Sequence, residues 1–121
     1  MMRWQVLRCI AIVAAAIIAA CGETPATEPV ARGRQVYRAL DCGRCHQIGS
    51  EGARVGPELT HVGTAAEERR PGAAREYLRA SLQDPGSYLV PGYRDTMPRG
   101  LTRGLSPTDL EALVAYLGAQ R

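Results

Sequence analysis

The sequence predicts a small all-α domain with long connections, and three observations carry that reading. From Val30 onward no alternating apolar and polar run is long enough for a strand. Three stretches in the same region place apolar residues at helical spacing. The connections between them are long and rich in Gly and Pro, which suits a chain draped around a bound body better than one packed only on itself.

The first helix is expected from about Ala31 to Leu40, where Gly33, Val36, Tyr37 and Leu40 share one face at i, i+3, i+4 and i+7. Gln47 to Gly63 holds Gly49, Gly52, Gly56, Pro57 and Gly63 and reads as a loop. A second helix is expected from about Pro71 to Gln83, ended by Asp84-Pro85, with Ala74, Tyr77, Leu78, Ser81 and Leu82 as its apolar stripe. A second loop, Gly86 to Gly104, contains Tyr88, Tyr93 and Thr96-Met97-Pro98. The last helix is the best specified. Ser106 is its N-cap, Pro107 sits at N1, Asp109 completes a capping-box variant, and Leu105 with Leu110 can form a hydrophobic staple. Leu110, Leu113, Val114 and Leu117 make its buried face, with Tyr116 at the edge. The charge run Glu67-Glu68-Arg69-Arg70 reads as solvated surface.

Directly after the first helix stands Cys42-Gly43-Arg44-Cys45-His46. Two thiols three positions apart, followed at once by a histidine, is the pattern that attaches a c-type haem. On one turn of backbone both sulfurs face the same side, where each can form a thioether to the porphyrin edge. His46 then offers its imidazole as an axial iron ligand. The competing readings are a zinc site and a thiol–disulfide pair. Zinc would need four ligands, and downstream of the leader only His61 and Cys21 remain. A redox Cys-x-x-Cys would expect a βαβ context, and no strand pattern flanks this one.

The length, 121 residues, allows one domain of modest core, and aromatics make up only 5% of it with no Phe. A haem would supply the large flat apolar body that the aromatics do not. All fifteen basic residues are Arg. Downstream of residue 20, thirteen Arg stand against twelve acidic residues, a formal charge of +1, which two haem propionates would turn to about −1. That balance offers no basic face for nucleic acid.

Residues 1–20 read as an export signal: Arg3 and Arg8 give a positive start, and Cys9 to Ala20 is a twelve-residue apolar run. Ile18-Ala19-Ala20-Cys21 resembles the bacterial lipobox, whose cysteine is acylated, so Cys21 is the expected lipid attachment. An uncleaved membrane helix is the alternative, although the run falls short of the ~20 residues that span a bilayer. Lipid on Cys21 and haem on Cys42 and Cys45, with Cys9 lost in the leader, leaves no disulfide pair. Residues 21–30, with Gly22 to Pro29 polar and Pro-rich, are expected to be a flexible tether, and 31–121 the haem domain. Nine steps from Cys21 to Val30 reach at most ~30 Å at ~3.3 Å each, so the domain would meet its partners beside the bilayer.

Over roughly Ala31 to Gly118 these residues resemble a class I, mitochondrial-type monohaem cytochrome c, in membrane-anchored bacterial lipoprotein form. The order of features carries the resemblance: helix, CxxCH, Gly56-Pro57 loop, helix, Thr96-Met97-Pro98 loop, helix. It implies three main helices and long loops wrapped around one haem c held through Cys42 and Cys45. It implies that Gly33 and Tyr37 let the last helix cross closely against Tyr116. The Pro57 carbonyl would accept a hydrogen bond from His46, with Leu59 in the same loop. The tryptophan that many members place near a propionate is missing, which leaves Arg54, Tyr88 or Tyr93 as partners; the docking lysines are missing too.

Three occupants compete for the second axial position. Met97, 51 positions after His46 and stiffened by Pro98, is favoured, since Met1 and Met2 lie in the leader. His61, fifteen residues after His46, is the alternative, and an open or water-bound site is the third. A thioether favours reduced iron and raises the potential. The expected function is one-electron transfer rather than enzymatic turnover. The protein would be exported, held by lipidated Cys21 on the outer face of the bacterial cytoplasmic membrane, and serve as a subunit of, or fixed donor within, a respiratory or photosynthetic complex. A quinol oxidoreductase of alternative-complex-III type is one such setting, and a tethered donor to a haem–copper oxidase or a reaction centre is another. Its partners would be redox proteins, neither nucleic acid nor a small-molecule substrate. A haem peroxidase-like or gas-sensing module is the alternative function, and it requires an open or displaceable distal site.

Overall fold

The computed structural model describes residues 28–121; the leader, Cys21 and residues 22–27 of the tether lie outside the described residues. Four α-helices follow in order: α1 (Pro29–Ala39), α2 (Val62–Arg69), α3 (Ala74–Gln83) and α4 (Pro107–Gly118). A single 3-10 turn, Cys42–Arg44, stands between α1 and α2. Among the described residues there is no strand beyond one isolated bridge between Ile48 and Glu51. The all-α expectation holds, with one helix more than expected.

Helix α1 begins at Pro29, two residues before the expected start. Pro29 has no N–H to leave unpaired, and the Glu28 carboxylate accepts from Val30 N at 2.9 Å and Ala31 N at 2.8 Å. Those two bonds also hold the Glu28 carboxyl below its ordinary range. Gly33, Val36 and Tyr37 are buried as the periodicity requires.

Helices α1 and α4 make the most extensive contact between elements among the described residues. Gly33 makes it possible: a Cβ there would stand 2.6 Å from Tyr116 Cβ and collide with the Ala112 carbonyl. The rings of Tyr37 and Tyr116 then meet at 5.4 Å between centroids, tilted by 58°. This is the close crossing that the resemblance implied. The Arg32 guanidinium donates from Nε to Asp109 Oδ1 at 2.7 Å and closes one end of the same crossing.

Asp109 explains why the N-terminus of α4 differs from the expected box. Ser106 Oγ accepts from Asp109 N at 3.1 Å, so the cap is made. The Asp109 carboxylate accepts from Arg32 and from the Ser106 hydroxyl, at 2.7 Å each, instead of from the Ser106 N–H. An interhelical partner has displaced a local one. Leu113, Val114 and Leu117 are buried with Ala112, while Leu105 and Leu110 pack against the core as half-buried residues.

Helix α3 starts at Ala74, not at Pro71. Pro71 and Gly72 form a turn in which Gly72, at φ +72°, donates its N–H to Glu67 Oε1 at 2.7 Å. Leu78 and Leu82 reach the core. Glu111 of α4 accepts two bonds from Arg79, from Nε at 2.7 Å and Nη2 at 2.9 Å, and one from Arg75 at 3.0 Å.

Helix α2 occupies a stretch where no helix was expected. It has no side-chain cap, and its buried residues Val62, Gly63 and Ala66 are small. Tertiary contact compensates. Gly63 N donates to Gln120 O at 2.8 Å, and a side chain on Gly63 would strike the Gly118 carbonyl. The chain after α4 therefore seats the start of α2.

Gly33→Ala is expected to destabilise the protein by ~1–3 kcal/mol or prevent folding, because the obstacle is backbone and cannot swing away; denaturant midpoints measure it. Arginine partners hold the Asp109 and Glu111 carboxyls below their ordinary range. A carboxyl with a depressed folded-state pKa contributes its stability above the unfolded-state value and loses it as pH falls through the folded one. Stability should therefore decline on acidification below about pH 4–5, less steeply in Glu111→Gln, as urea midpoints across that interval would show.

Candidate haem site

Cys42 and Cys45 sit on the 3-10 turn that follows α1. The break between the two elements is made by Asp41, at φ +54° the only non-glycine residue in the left-handed region among those described. Cys45 N and His46 N both donate to the Cys42 carbonyl, at 3.1 and 3.0 Å. This pair of hydrogen bonds to one carbonyl winds the motif tightly, and Cys42, Cys45 and His46 all stand in the wall of one cavity.

The cavity measures about 310 Å³. Its wall is mostly apolar, with Leu59, Leu78, Leu82 and Leu101 among its residues. Pro57, Leu59, Tyr93 and Met97, all named from the sequence, line it together with the CxxCH residues.

His46 is oriented from two sides. Its Nδ1 lies 2.7 Å from the Pro57 carbonyl. A carbonyl can only accept, so Nδ1 carries the proton and Nε2 keeps its lone pair for a metal. Gly56 lets the loop lie flat on the ring: a Cβ there would be 2.6 Å from His46 Cε1. From the core side, Tyr37 Oη reaches the His46 carbonyl at 3.4 Å. The loop itself is tied to the motif through its backbone. Ala53 N donates to Gly43 O at 2.9 Å, Val55 N and Gly56 N to Cys45 O at 3.0 and 2.7 Å, and Leu59 N to Gln47 O at 2.8 Å.

Both cysteines are free and half-buried. Burial pushes the Cys42 thiol up to about 11, the reverse of the depressed value that a thiol–disulfide pair uses. Among the described residues no group of three or more His, Cys, Asp and Glu side chains converges on a metal position. Two neighbouring thiols, one free imidazole nitrogen and an apolar slot form the donor set of a covalently attached haem, and the residues fit it.

Two sequence readings need correction. Arg54 does not line the cavity; its guanidinium donates to Gln47 Oε1 at 2.5 Å. Arg69 is not merely solvated surface. Unexpected helix α2 carries it to the cavity wall, half-buried, where Nη1 donates to Tyr77 Oη at 3.0 Å and the guanidinium stacks 5.7 Å from the Tyr77 ring and 5.8 Å from that of Tyr88. No local pattern in the sequence separates Arg69 from its charged neighbours. His61 is exposed and lies off the wall.

Gly56→Ala is expected to push the imidazole off the Pro57 carbonyl. The measurement is the His46 ring N–H proton resonance together with the yield of covalently attached haem, and both should fall.

The family model described as Cytochrome c matches residues 30–120. The chain is also 34% identical over 104 residues to "Cytochrome c oxidase subunit 2" of Alkalihalophilus pseudofirmus, a match covering 78% of this chain and 27% of that protein. It thus spans about a quarter of that relative's length. With a CxxCH turn opening on an apolar slot and a match along nearly its whole helical domain, the chain belongs to the cytochrome c family and carries a covalently attached haem c.

Proposed function

We propose that this cytochrome c is a membrane-held one-electron carrier whose haem iron is ligated by His46 and Met97. One observation carries the ligand assignment: Met97 lines the same cavity as His46, whose Nε2 is left free by the Pro57 bond. Met97 is half-buried on the loop between α3 and α4, and it is the only methionine among the described residues. The exposed His61 off the wall does not compete.

Bound haem supplies the one-electron couple, and the protein's residues set the conditions for it. His46 and Met97 would hold the iron between them, and with both engaged the site would offer a substrate no vacancy. The apolar wall excludes water. Arg69, stacked on Tyr77 and Tyr88 at the cavity wall, would offer a fixed positive charge to a propionate. The rim residues Tyr88, Leu89 and Tyr93 are exposed beside the cavity and give a partner access to the haem edge.

The setting proposed is a respiratory or photosynthetic membrane complex. The relative named as an oxidase subunit supports electron delivery to or within an oxidase, and a quinol-oxidising complex is an equivalent setting. Cys21 would bear the lipid, outside the cytoplasmic membrane. Cys21→Ala should then release the haem protein from membranes, checked by fractionation.

Met97→Ala is expected to abolish the weak far-red absorption band of sulfur-ligated oxidised haem, lower the potential, and let carbon monoxide bind the reduced protein at neutral pH. An unchanged spectrum with no carbon monoxide binding would remove Met97 from the site.

A further inference from the structure

Apart from the stack of Tyr88 on Arg69 and Tyr77 and the packing of Leu105 on the core, little ties the loop that carries Met97 to the rest of the molecule. Between Tyr88 and Leu105 every backbone–backbone hydrogen bond is local: Tyr93 N to Val90 O at 3.1 Å, Thr96 N to Arg94 O at 2.9 Å, Arg103 N to Gly100 O at 3.1 Å and Leu105 N to Thr102 O at 3.0 Å. The loop beside His46 is different, with three backbone bonds running to the motif it supports and a fourth, Leu59 N to Gln47 O, just beyond it.

Side chains supply what the backbone does not. Arg99 donates from Nη1 to Asp95 Oδ1 at 2.6 Å and from Nη2 to Asp95 Oδ2 at 2.8 Å. The same Nη1 also reaches the Met97 carbonyl at 3.4 Å. These are the only side-chain hydrogen bonds of residues 88–104 among those described. Asp95 and Arg99 flank Met97 at equal distance in sequence, so the fork closes a ring of five residues with Met97 at its centre. Pro98 stiffens one side of that ring. The ring also has a seat on the neighbouring turn: a side chain on Gly86 would collide with Arg99 Nη2 and come to 3.3 Å from Asp95 Oδ2.

The fork is half-exposed, Arg99 at 50% and Asp95 at 40%. An ion pair so placed adds little to global stability. Its bidentate geometry does fix orientation, and what it orients is the backbone on either side of Met97.

We propose that the Asp95–Arg99 fork is a positioning device that holds the Met97 loop so that its sulfur faces the cavity, and thereby governs how readily the sixth iron position opens. This rests on Met97 being the ligand. Asp95 and Arg99 touch no haem atom in the proposal; they act through the backbone of Met97.

The test uses the full-length, matured holoprotein and carbon monoxide as the probe. Its binding rate to the reduced protein is read beside the far-red band and the melting temperature, in Asp95→Asn, Arg99→Gln, Arg99→Lys and the exchanged pair Asp95→Arg/Arg99→Asp, with Met97→Ala as reference. Asp95→Asn and Arg99→Gln should each speed carbon monoxide binding by about tenfold, equivalent to ~1.4 kcal/mol, with little change in melting temperature. Arg99→Lys, which keeps the charge but not the two-pronged geometry, should lie between them and the parent, and the exchanged pair should return towards the parent. If both single variants bind at the parent rate while Met97→Ala opens the site, the fork has no positioning role. Faster binding in the single variants without recovery in the exchanged pair would also overturn it. If Met97→Ala itself changes nothing, the ligand assignment fails instead, and the two failures are told apart.

Discussion

The close approach of α1 to α4 at Gly33 is the constraint from which the rest of the site descends. Because no side chain intervenes, Tyr37 can meet the ring of Tyr116 and lie buried in the core, where burial pushes its hydroxyl up to about 12. A protonated hydroxyl is a donor, and the oxygen it reaches is the His46 carbonyl. The crossing of two helices is thereby linked to the position of His46 by one side chain. Asp41, in its left-handed conformation, then turns the chain from α1 into the cysteine turn. Packing, local conformation and the position of the His46 imidazole form a single sequence of causes.

The two loops that face the cavity are built on different principles. The first is bound to the CxxCH turn through its backbone, and the Pro57 carbonyl within it holds the His46 tautomer. Backbone bonds of this kind depend weakly on which side chains are present. The second relies on short turns. At Val90-Pro91-Gly92-Tyr93, Pro91 and a Gly92 at φ +89° support the bond from Tyr93 N to Val90 O. Such turns fix local shape but not the position of the loop on the domain. The His46 imidazole is held by its bond to the Pro57 carbonyl, whereas the Met97 thioether has no such handle. Its placement falls wholly to the loop.

Legibility followed the range of the interactions. The N-terminus of α4 could be read because Ser106, Pro107 and Asp109 act within one turn, and α1 because its buried face repeats at helical spacing. The cysteine turn was legible because attachment to a rigid planar group dictates spacing. Helix α2 was not, since Val62, Gly63 and Ala66 are too small and too few to mark a periodicity and its start is seated by Gln120, 57 residues away. Arg69 was lost with it. Its role depends on α2 existing and on where Tyr77 and Tyr88 fall, neither of which is visible in a run of two acids followed by two arginines. The capping box was half right for the same reason: Asp109 had a better partner in Arg32, far away in sequence.

Arginine as the sole cation bears on how those distant partners work. Arg79 grips Glu111 with two nitrogens, and Arg99 grips Asp95 in the same way. Arg69 uses both its donors and its flat face, against one hydroxyl and two rings. A lysine ammonium could replace the charge in each place but neither the planar fork nor the stacking surface. Exposed pairs of this kind add little to stability, yet they define direction. In a domain poor in aromatic residues, with half its length in loops and turns, direction is what the packed core cannot supply alone. The guanidinium groups supply it at the interface of α3 with α4, at the cavity wall and around Met97.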